Sequence, residues 1–232
     1  MRGLGAAELQ PKFDYRQDPE VLDSGRAGSR FWHPSSFLER FSSLKPAGGQ
    51  AILSPMDLAD YVRMANDEPG LRFLVIGGYA VAAHGHVRVT FDVDFLVDAE
   101  LRAQWLERAG SSGLQLRSSN DVFAQFIFDD EHGGLDLMFV QPETFASMWD
   151  GSQEKVFGTV RSRVPSLDHL LALKLHALNL SIPHRFSKDA DDVEMLIRRN
   201  RLDITSERYQ RLFLKHGNQE IYDTFLRILR EC

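Results

Sequence analysis

The sequence predicts an α+β fold, with a small mixed sheet flanked by helices and a C-terminal helical bundle. Up to Val164, apolar runs of strand length alternate with helical segments; after Pro165, apolar residues recur with the 3.6-residue period of a helix. A chain of 232 residues, 43% of them hydrophobic, is long enough to bury a sizeable core. We expect three regions: a loosely ordered N-terminal extension over residues 1–50, a core over 51–164 and a helical domain over 165–232.

The core is expected to begin with a helix that is capped by Ser54, carries Pro55 in its first turn and ends near Asn66. Apolar runs bounded by turn residues predict strands over residues 71–76, 91–97, 114–117, 122–129, 135–140 and 156–164. Helices are expected between them, over residues 79–84, 99–109 and 142–149. The helical domain is expected to contain four helices, over residues 167–178, 187–200, 206–215 and 219–230.

Composition excludes several classes of protein. No apolar run reaches the ~18 residues of a membrane-spanning helix, and Met1–Tyr15 lacks the apolar stretch of a secretory signal. Cys232 is the only cysteine, so an intrachain disulfide cannot form. We therefore expect a cytoplasmic protein that does not enter membranes.

The charges are unevenly distributed along the chain. The net charge of −6 argues against a general nucleic-acid binder, but residues 161–232 carry a net +3 and residues 1–160 a net −9. An acidic half that binds cations, beside a mildly basic half, would suit a polyanionic substrate. Most of these charges are expected simply to face solvent.

Three carboxylates stand out because they interrupt apolar strands. Asp92 and Asp94 are two residues apart in the second predicted strand, so their side chains point to the same face. Side by side they repel each other unless a cation lies between them, and oxygen ligands favour Mg²⁺ or Mn²⁺. Asp136 would complete a cluster able to hold two metal ions. Taken alone, Asp136 is better explained as a solvated strand end; together with the pair, it favours a metal site.

A glycine pair, Gly77-Gly78, ends the first predicted strand and precedes a short helix. Glycine lets the backbone approach a ligand closely, and a helix start presents N–H groups to an anion. Further along, Arg88 and Thr90 alternate onto the face of Asp92. Arg88 would either contact a phosphate group or neutralise the acids when no ligand is bound, and Thr90 would donate a hydrogen bond.

The helical domain contributes three further candidates for phosphate binding: Lys174, Arg185 and Lys188. Lys174 is unusual because it lies in an otherwise apolar helical run. Arg185 and Lys188 open the next helix, together with Asp189 and Asp192. These two acids also have a structural explanation, because carboxylates near a helix N-terminus interact with its dipole and Lys188 can pair with Asp192 four residues later.

This set of residues resembles the polymerase-β-like nucleotidyltransferase superfamily, whose signature is an apolar strand, Gly-Gly or Gly-Ser, an Asp-x-Asp pair and a third acid on a neighbouring strand. The more specific resemblance is to the AbiEii/AbiGii toxin-type nucleotidyltransferases, many of them toxins of toxin–antitoxin systems. It covers about residues 71–197. The motifs that carry it are Arg88-x-Thr90-x-Asp92-x-Asp94, Lys174 and Arg185-x-x-Lys188-Asp189-x-x-Asp192.

The resemblance implies a polymerase-β-like fold and transfer of a nucleoside monophosphate from a nucleoside triphosphate, such as ATP, to an acceptor hydroxyl. It implies that Asp92, Asp94 and Asp136 are catalytic ligands of Mg²⁺ or Mn²⁺. The implied nucleotide contacts are Gly77, Gly78, Arg88, Thr90, Lys174, Arg185 and Lys188. The acceptor stays open among an RNA 3′ end, a protein hydroxyl and a small molecule such as an aminoglycoside, and a toxin would have a cognate antitoxin. The alternative is a catalytically silent binding or regulatory module of the same fold.

Overall fold

The computed structural model of the chain describes residues 56–128, 133–180 and 183–230, and only the backbone of residues 183–186. By its contacts the chain divides into two units, Met1–Ser54 and Pro55–Cys232, and all of the described residues belong to the second. The predicted extension over residues 1–50 lies outside the described residues, as do Ser54 and Pro55.

The described residues form a mixture of strands and helices, which confirms the predicted α+β class. The strands are β1 (Phe73–Val75), β2 (Val93–Asp98), β3 (Gln115–Ser119), β4 (Phe123–Ile127), β5 (Leu135–Val140), β6 (Gln153–Phe157) and β7 (Val160–Val164). The helices are α1 (Leu58–Asn66), α2 (Gly77–Ala83), α3 (Arg102–Ser111), α4 (Pro142–Asp150), α5 (Leu167–Asn179), α6 (Pro183–Asn200), α7 (Glu207–His216) and α8 (Gln219–Arg230). A 3₁₀ turn, Ala99–Leu101, leads into α3.

Five strands form one sheet in the order β1-β2-β5-β4-β3. β2 and β5 run parallel, and the other neighbours run antiparallel, so the sheet is mixed as predicted. β6 and β7 form a separate hairpin. The parallel pairing matters for function because it brings the starts of β2 and β5 to the same edge of the sheet.

Side chains alternate along the central strands and fill a separate core on each face of the sheet. The larger core includes Phe73, Phe95 and Leu137. The smaller core includes Leu74 and Leu96 and is covered by α4. Even-numbered positions of β2 therefore face the smaller core, and Asp94 is one of them.

The helical part is built around α5, which packs against α6, α7 and α8. Its leucines at positions 170, 171, 175 and 178 are buried, as the 3.6-residue period predicts. On α6 the buried apolar residues are Val193, Leu196 and Ile197. Within the part of the chain that the structure describes, none of the helices has the length and apolarity needed to cross a membrane.

Most element boundaries shift by a few residues from the prediction, and three of the differences have a clear local cause. α1 begins at Leu58, where Asp57 and Asp60 form a reciprocal capping box. The single strand expected over residues 156–164 is wrong, because a turn with Gly158 at φ +59° divides this segment into β6 and β7. α6 begins at Pro183 rather than at residue 187, because proline is well tolerated in the first turn of a helix.

Candidate active site

Three carboxylates meet at one edge of the sheet, and we call them the acidic edge (Asp92, Asp94 and Asp136). Asp94 lies directly opposite Asp136 in the parallel pairing of β2 with β5, so both side chains project from the same face. Asp92 lies just ahead of β2, and its Oδ1 accepts a hydrogen bond of 3.3 Å from the Gly134 N–H. Asp94 and Asp136 are therefore adjacent, and Asp92 lies at the entry to β2.

The acidic edge lies where the apolar sheet opens to solvent. Asp92 is exposed, and Asp94 and Asp136 are half-buried. Their strand neighbours Val93 and Leu135 are almost fully buried. A half-buried carboxylate has lost part of its hydration, so it gains more from a bound cation than a carboxylate on an open surface does.

The glycine pair lies directly against this edge. Gly77 has φ +59°, and a Cβ on it would lie 1.9 Å from Oδ2 of Asp94, so only glycine fits here without displacing that carboxylate. A Cβ on Gly78 would lie 2.6 Å from Oγ1 of Thr90. The backbone at the start of α2 is thus held against the strand that carries the acids, and the structure brings Gly77, Gly78, Thr90 and Asp94 together.

A second glycine pair, which the sequence indicates only as a turn, positions Asp136. A Cβ on Gly133 would lie 1.8 Å from the carbonyl oxygen of Phe91, and the Gly134 carbonyl accepts a hydrogen bond of 2.9 Å from the Val93 N–H. β5 therefore starts in direct contact with the segment that carries Asp92. In the sequence, this close contact is marked by the two glycines immediately before the strand that contains Asp136.

Arg88 is bonded to a carboxylate of the helical part. Its Nε donates to Oδ1 of Asp192 at 2.6 Å and its Nη2 to Oδ2 at 2.8 Å. The Asp192 side chain is completely buried. The hydrogen bond to Asp192 raises the pKa of Arg88, and the charges of Asp192, Asp189 and Asp94 raise it further. Arg88 is therefore bonded to α6, and it also lies near enough to Asp94 for the charge of that carboxylate to raise its pKa.

Lys174 completes what we call the buried charge network (Arg88, Lys174, Asp189 and Asp192). Its Nζ lies 2.7 Å from Oδ1 of Asp189 and 2.7 Å from Oδ2 of Asp192. Burial alone raises the pKa of Asp192, but the hydrogen bonds and charges of Arg88 and Lys174 outweigh it and hold the pKa below its usual value. Two cations thus face two carboxylates inside the protein.

Among the predicted nucleotide contacts from the helical part, Lys174 and Lys188 differ in their surroundings. Lys174 is buried in the charge network, whereas Lys188 is exposed on α6. The side chain of Arg185 lies outside the described residues. Sequence analysis explained Asp189 and Asp192 as helix-start acids and missed their burial. The signal was their spacing, because they precede the buried Val193 and Leu196 by four residues and so share their face of α6.

The acidic edge fits a divalent cation by the chemistry of its donors. It offers carboxylate oxygens only, and such ligands suit Mg²⁺ or Mn²⁺. Because Gly77 has no side chain, its backbone can lie close to Asp94. Among the described residues, the ligand atoms of His86, Asp191 and Asp192 are the only three found within 4.8 Å of one another. Asp192 is already bonded to two protein cations, so we do not assign a metal ion to that trio.

No family model matches the chain, and no curated protein matches it in sequence. The solution structure of the antibiotic-resistance factor ANT(2'')-Ia matches with a TM-score of 0.52 and 17% identity, over 74% of this chain and 94% of that chain. The crystal structure of ANT(2'')-Ia in complex with adenylyl-2''-tobramycin gives 0.48 and 18%, over 74% and 97%. The lincomycin-bound lincosamide antibiotic adenylyltransferase LnuA gives 0.45 and 12%, over 62% and 99%. At such identities the likeness concerns the fold alone, and the match with a TM-score of 0.52 confirms that the chain has a nucleotidyltransferase fold.

Proposed function

We propose that the protein is a metal-dependent nucleotidyltransferase, which moves a nucleoside monophosphate from a nucleoside triphosphate to an acceptor hydroxyl. The observation that carries the proposal is the pairing of Asp94 with Asp136 on adjacent parallel strands, with Asp92 just ahead of the strand that carries Asp94. Such a trio, beside a glycine backbone in a nucleotidyltransferase fold, suits the binding of a metal-bound triphosphate.

In this reaction the acceptor oxygen attacks the α-phosphorus, the bond to the β-phosphate oxygen breaks and pyrophosphate leaves. Asp92 and Asp94 would hold the divalent ions, and Asp136 would hold one of them and take up the acceptor's proton. Metal ions bound there would align the triphosphate and offset the charge that develops at the α-phosphorus. Gly77 and Gly78 would place their backbone close to the β- and γ-phosphates.

The buried charge network supports this proposal because it anchors the segment of chain ahead of Asp92. Because Asp189 and Asp192 compensate the charges of Arg88 and Lys174, we assign these two cations chiefly to fixing the segment that leads to Asp92. Arg185 and Lys188, at the start of α6, stay proposed contacts of the nucleotide. Thr90, packed against Gly78, is proposed to donate a hydrogen bond to phosphate.

The acceptor is the finer part of the proposal. The run Arg88-x-Thr90-x-Asp92-x-Asp94 resembles the toxin-type nucleotidyltransferases, which favours a macromolecular acceptor, RNA or protein, in the cytoplasm, and a cognate antitoxin as partner. ANT(2'')-Ia, which shares the fold, is described in complex with an adenylylated aminoglycoside. A small-molecule acceptor is therefore the second candidate.

The test is incubation of the full chain with Mg²⁺, each labelled nucleoside triphosphate in turn and cell extract. Label should pass to RNA, protein or a small molecule. Asp94→Asn should lower transfer at least about 100-fold, which corresponds to about 2.7 kcal/mol in the barrier. Asp98→Asn is the matched control: Asp98 lies at the far end of the same strand, where it caps the 3₁₀ turn, and asparagine also caps well.

A catalytically silent module would give a different result. It would bind Mg-ATP or Mg-GTP in calorimetry but release no pyrophosphate with any acceptor. Transfer by Asp94→Asn at the wild-type rate would equally contradict the proposed mechanism.

A further inference from the structure

A cavity lies on the same face of the sheet as the acidic edge but at the opposite end of the strands. It has a volume of about 220 Å³ and lies where the start of β1, the end of α4 and the β6–β7 hairpin meet. Residue 73 pairs with residue 97 in the antiparallel register, so Arg72 lies level with Asp98, at the end of β2 that is distant from Asp94. Four residues of strand separate Arg72 from the position opposite Asp94, which amounts to roughly 13 Å.

The cavity is lined by more cations than anions. Its lining includes Arg72, Arg161 and Arg163 but only one carboxylate, that of Glu154. Arg161 is bonded to Glu154 at 2.9 Å. Two guanidinium groups therefore lack a neutralising carboxylate in the lining, and that leaves an excess of positive charge.

Trp149 holds these two guanidinium groups in place. The guanidinium carbon of Arg72 lies 5.3 Å from the centroid of the indole ring, and that of Arg163 lies 4.9 Å from it. Arg72 also lies 5.6 Å from the ring of Phe145. Stacking on aromatic rings fixes a guanidinium while leaving the N–H groups at its rim able to donate.

The hydrogen bonds of the two groups differ. Arg163 donates to Oγ of Ser152 at 2.7 Å and to its carbonyl oxygen at 3.2 Å. Arg72 has no hydrogen-bond acceptor or carboxylate partner within the described part of the chain. Two positive charges on one indole ring repel each other, and an anion between them would relieve that repulsion.

We propose that this cavity is a phosphate-binding site, separate from the catalytic centre. A phosphate group offers several oxygen acceptors and up to two negative charges, which match the donors of Arg72 and Arg163 better than a carboxylate does. The phosphate can be free or carried by an oligonucleotide. In the second case the cavity would bind a macromolecular acceptor away from the site of transfer.

Calorimetry on the full chain at 0.15 M NaCl, without nucleoside triphosphate, tests the proposal. Inorganic phosphate should bind with a Kd below about 1 mM, and acetate should bind at least tenfold more weakly. Arg72→Gln should weaken phosphate binding about tenfold, and so should Arg163→Gln. Because Arg72 is exposed, its replacement should leave the fold intact. Arg117→Gln, on the opposite edge strand β3, is the control and should bind as wild type does.

A second arm identifies the source of the phosphate. If a short single-stranded oligoribonucleotide uses the cavity, it should bind more tightly than inorganic phosphate. Arg72→Gln should then lower the salt dependence of its binding by about one unit of slope. Equal affinities for the two probes would assign the cavity to free phosphate.

Asp94→Asn separates this proposal from the proposed function, because it should abolish transfer and leave phosphate binding unchanged. No phosphate binding, equal binding of acetate, or wild-type affinity in Arg72→Gln would overturn the site.

Discussion

The protein carries two groups of carboxylates whose surroundings differ. In the buried charge network, Asp189 and Asp192 contact protein cations at 2.6–2.8 Å. At the acidic edge, the Gly134 N–H donates to Asp92, and a Cβ on Gly77 would collide with Asp94. The network is closed by ion pairs inside the protein, whereas the acidic edge lies where the sheet opens to solvent.

Arg88 links the two groups. Its guanidinium is bonded to Asp192, and the charge of Asp94 contributes to raising its pKa. The short stretch from Arg88 to Asp94 therefore spans both environments. Changes to the network should be felt mainly in stability, and changes to the edge mainly in activity.

The largest expected effect on stability comes from Asp192→Ala. It leaves Arg88 and Lys174 charged and largely buried without their shared carboxylate, and breaking such a pair costs about 3–5 kcal/mol. Urea denaturation followed by circular dichroism measures the loss in the free energy of unfolding.

The neighbouring residue provides the control for this change. The side chain of Asp191 is 61% exposed and contacts His86 at 3.3 Å, and an exposed pair of this kind contributes about 1 kcal/mol at most. Asp191→Ala should therefore stay close to wild type. Equal losses in the two variants would remove the distinction between a buried network and an open surface.

A smaller effect, of about 1–2 kcal/mol, is expected for Gly77→Ala. An L-residue at this positive φ is strained, and the new Cβ would also push against Asp94. We expect this variant to lose both stability and at least about tenfold in transfer rate, which corresponds to about 1.4 kcal/mol. Denaturation and a steady-state transfer assay measure the two losses.

Gly70→Ala isolates the contribution of backbone strain. Gly70 also has a positive φ, +96°, but nothing lies within 4 Å of its added Cβ. This variant should lose stability and keep its activity. A fully active Gly77→Ala would mean that the glycine pair does not belong to the catalytic centre. An inactive Gly70→Ala would mean that backbone strain alone is enough to abolish activity.

The smallest effect is a pH dependence of the difference in stability between the wild type and Asp192→Asn. Because Arg88 and Lys174 hold the pKa of Asp192 below its usual value, the carboxylate's contribution is fully present above about pH 4, near the unfolded-state pKa. It is lost as the pH falls through the folded-state pKa, by at most about 1.4 kcal/mol per pH unit. Denaturation curves of both proteins from pH 7 to pH 3 measure it.

Comparison of two proteins is needed because histidines also respond to acid. Among the residues that the structure describes, burial lowers the pKa of His84, His169, His176 and His216. The unfolded chain therefore binds protons first, and stability falls as the pH drops through about 6.5 in either protein. The histidine contribution cancels in the difference. A difference that is constant down to pH 3 would mean that Asp192 is not held charged by its partners.

Local patterns in the sequence were sufficient for the fold and for the acidic edge. The period of two near Asp92 and the interruption of an apolar strand by Asp136 are visible within a few residues. The fold class and the mixed sheet are confirmed by the structure. The roles of the individual site residues stay predictions until they are measured.

Long-range pairing was beyond those patterns. Arg88 and Asp192 are 104 positions apart, and no local period relates them. From the sequence, Arg88 was expected either to contact phosphate or to neutralise the acids near it. In the structure its hydrogen bonds go to Asp192. The Arg72–Trp149 stacking depends in the same way on how α4 packs on the sheet. The turn at Gly158, by contrast, is marked locally by a glycine with a positive φ.

The bond between Arg88 and Asp192 also has a consequence for biosynthesis. Strands β1, β2 and β5 leave the ribosome well before α6, so a nascent chain carries its acids before it carries the aspartate that anchors the stretch ahead of them. Domains generally fold as units during synthesis. In this one, the stretch from Arg88 to Asp94 is not anchored until residue 192 has emerged and docked. Under the proposed function, a chain interrupted earlier is therefore expected to transfer no nucleotide.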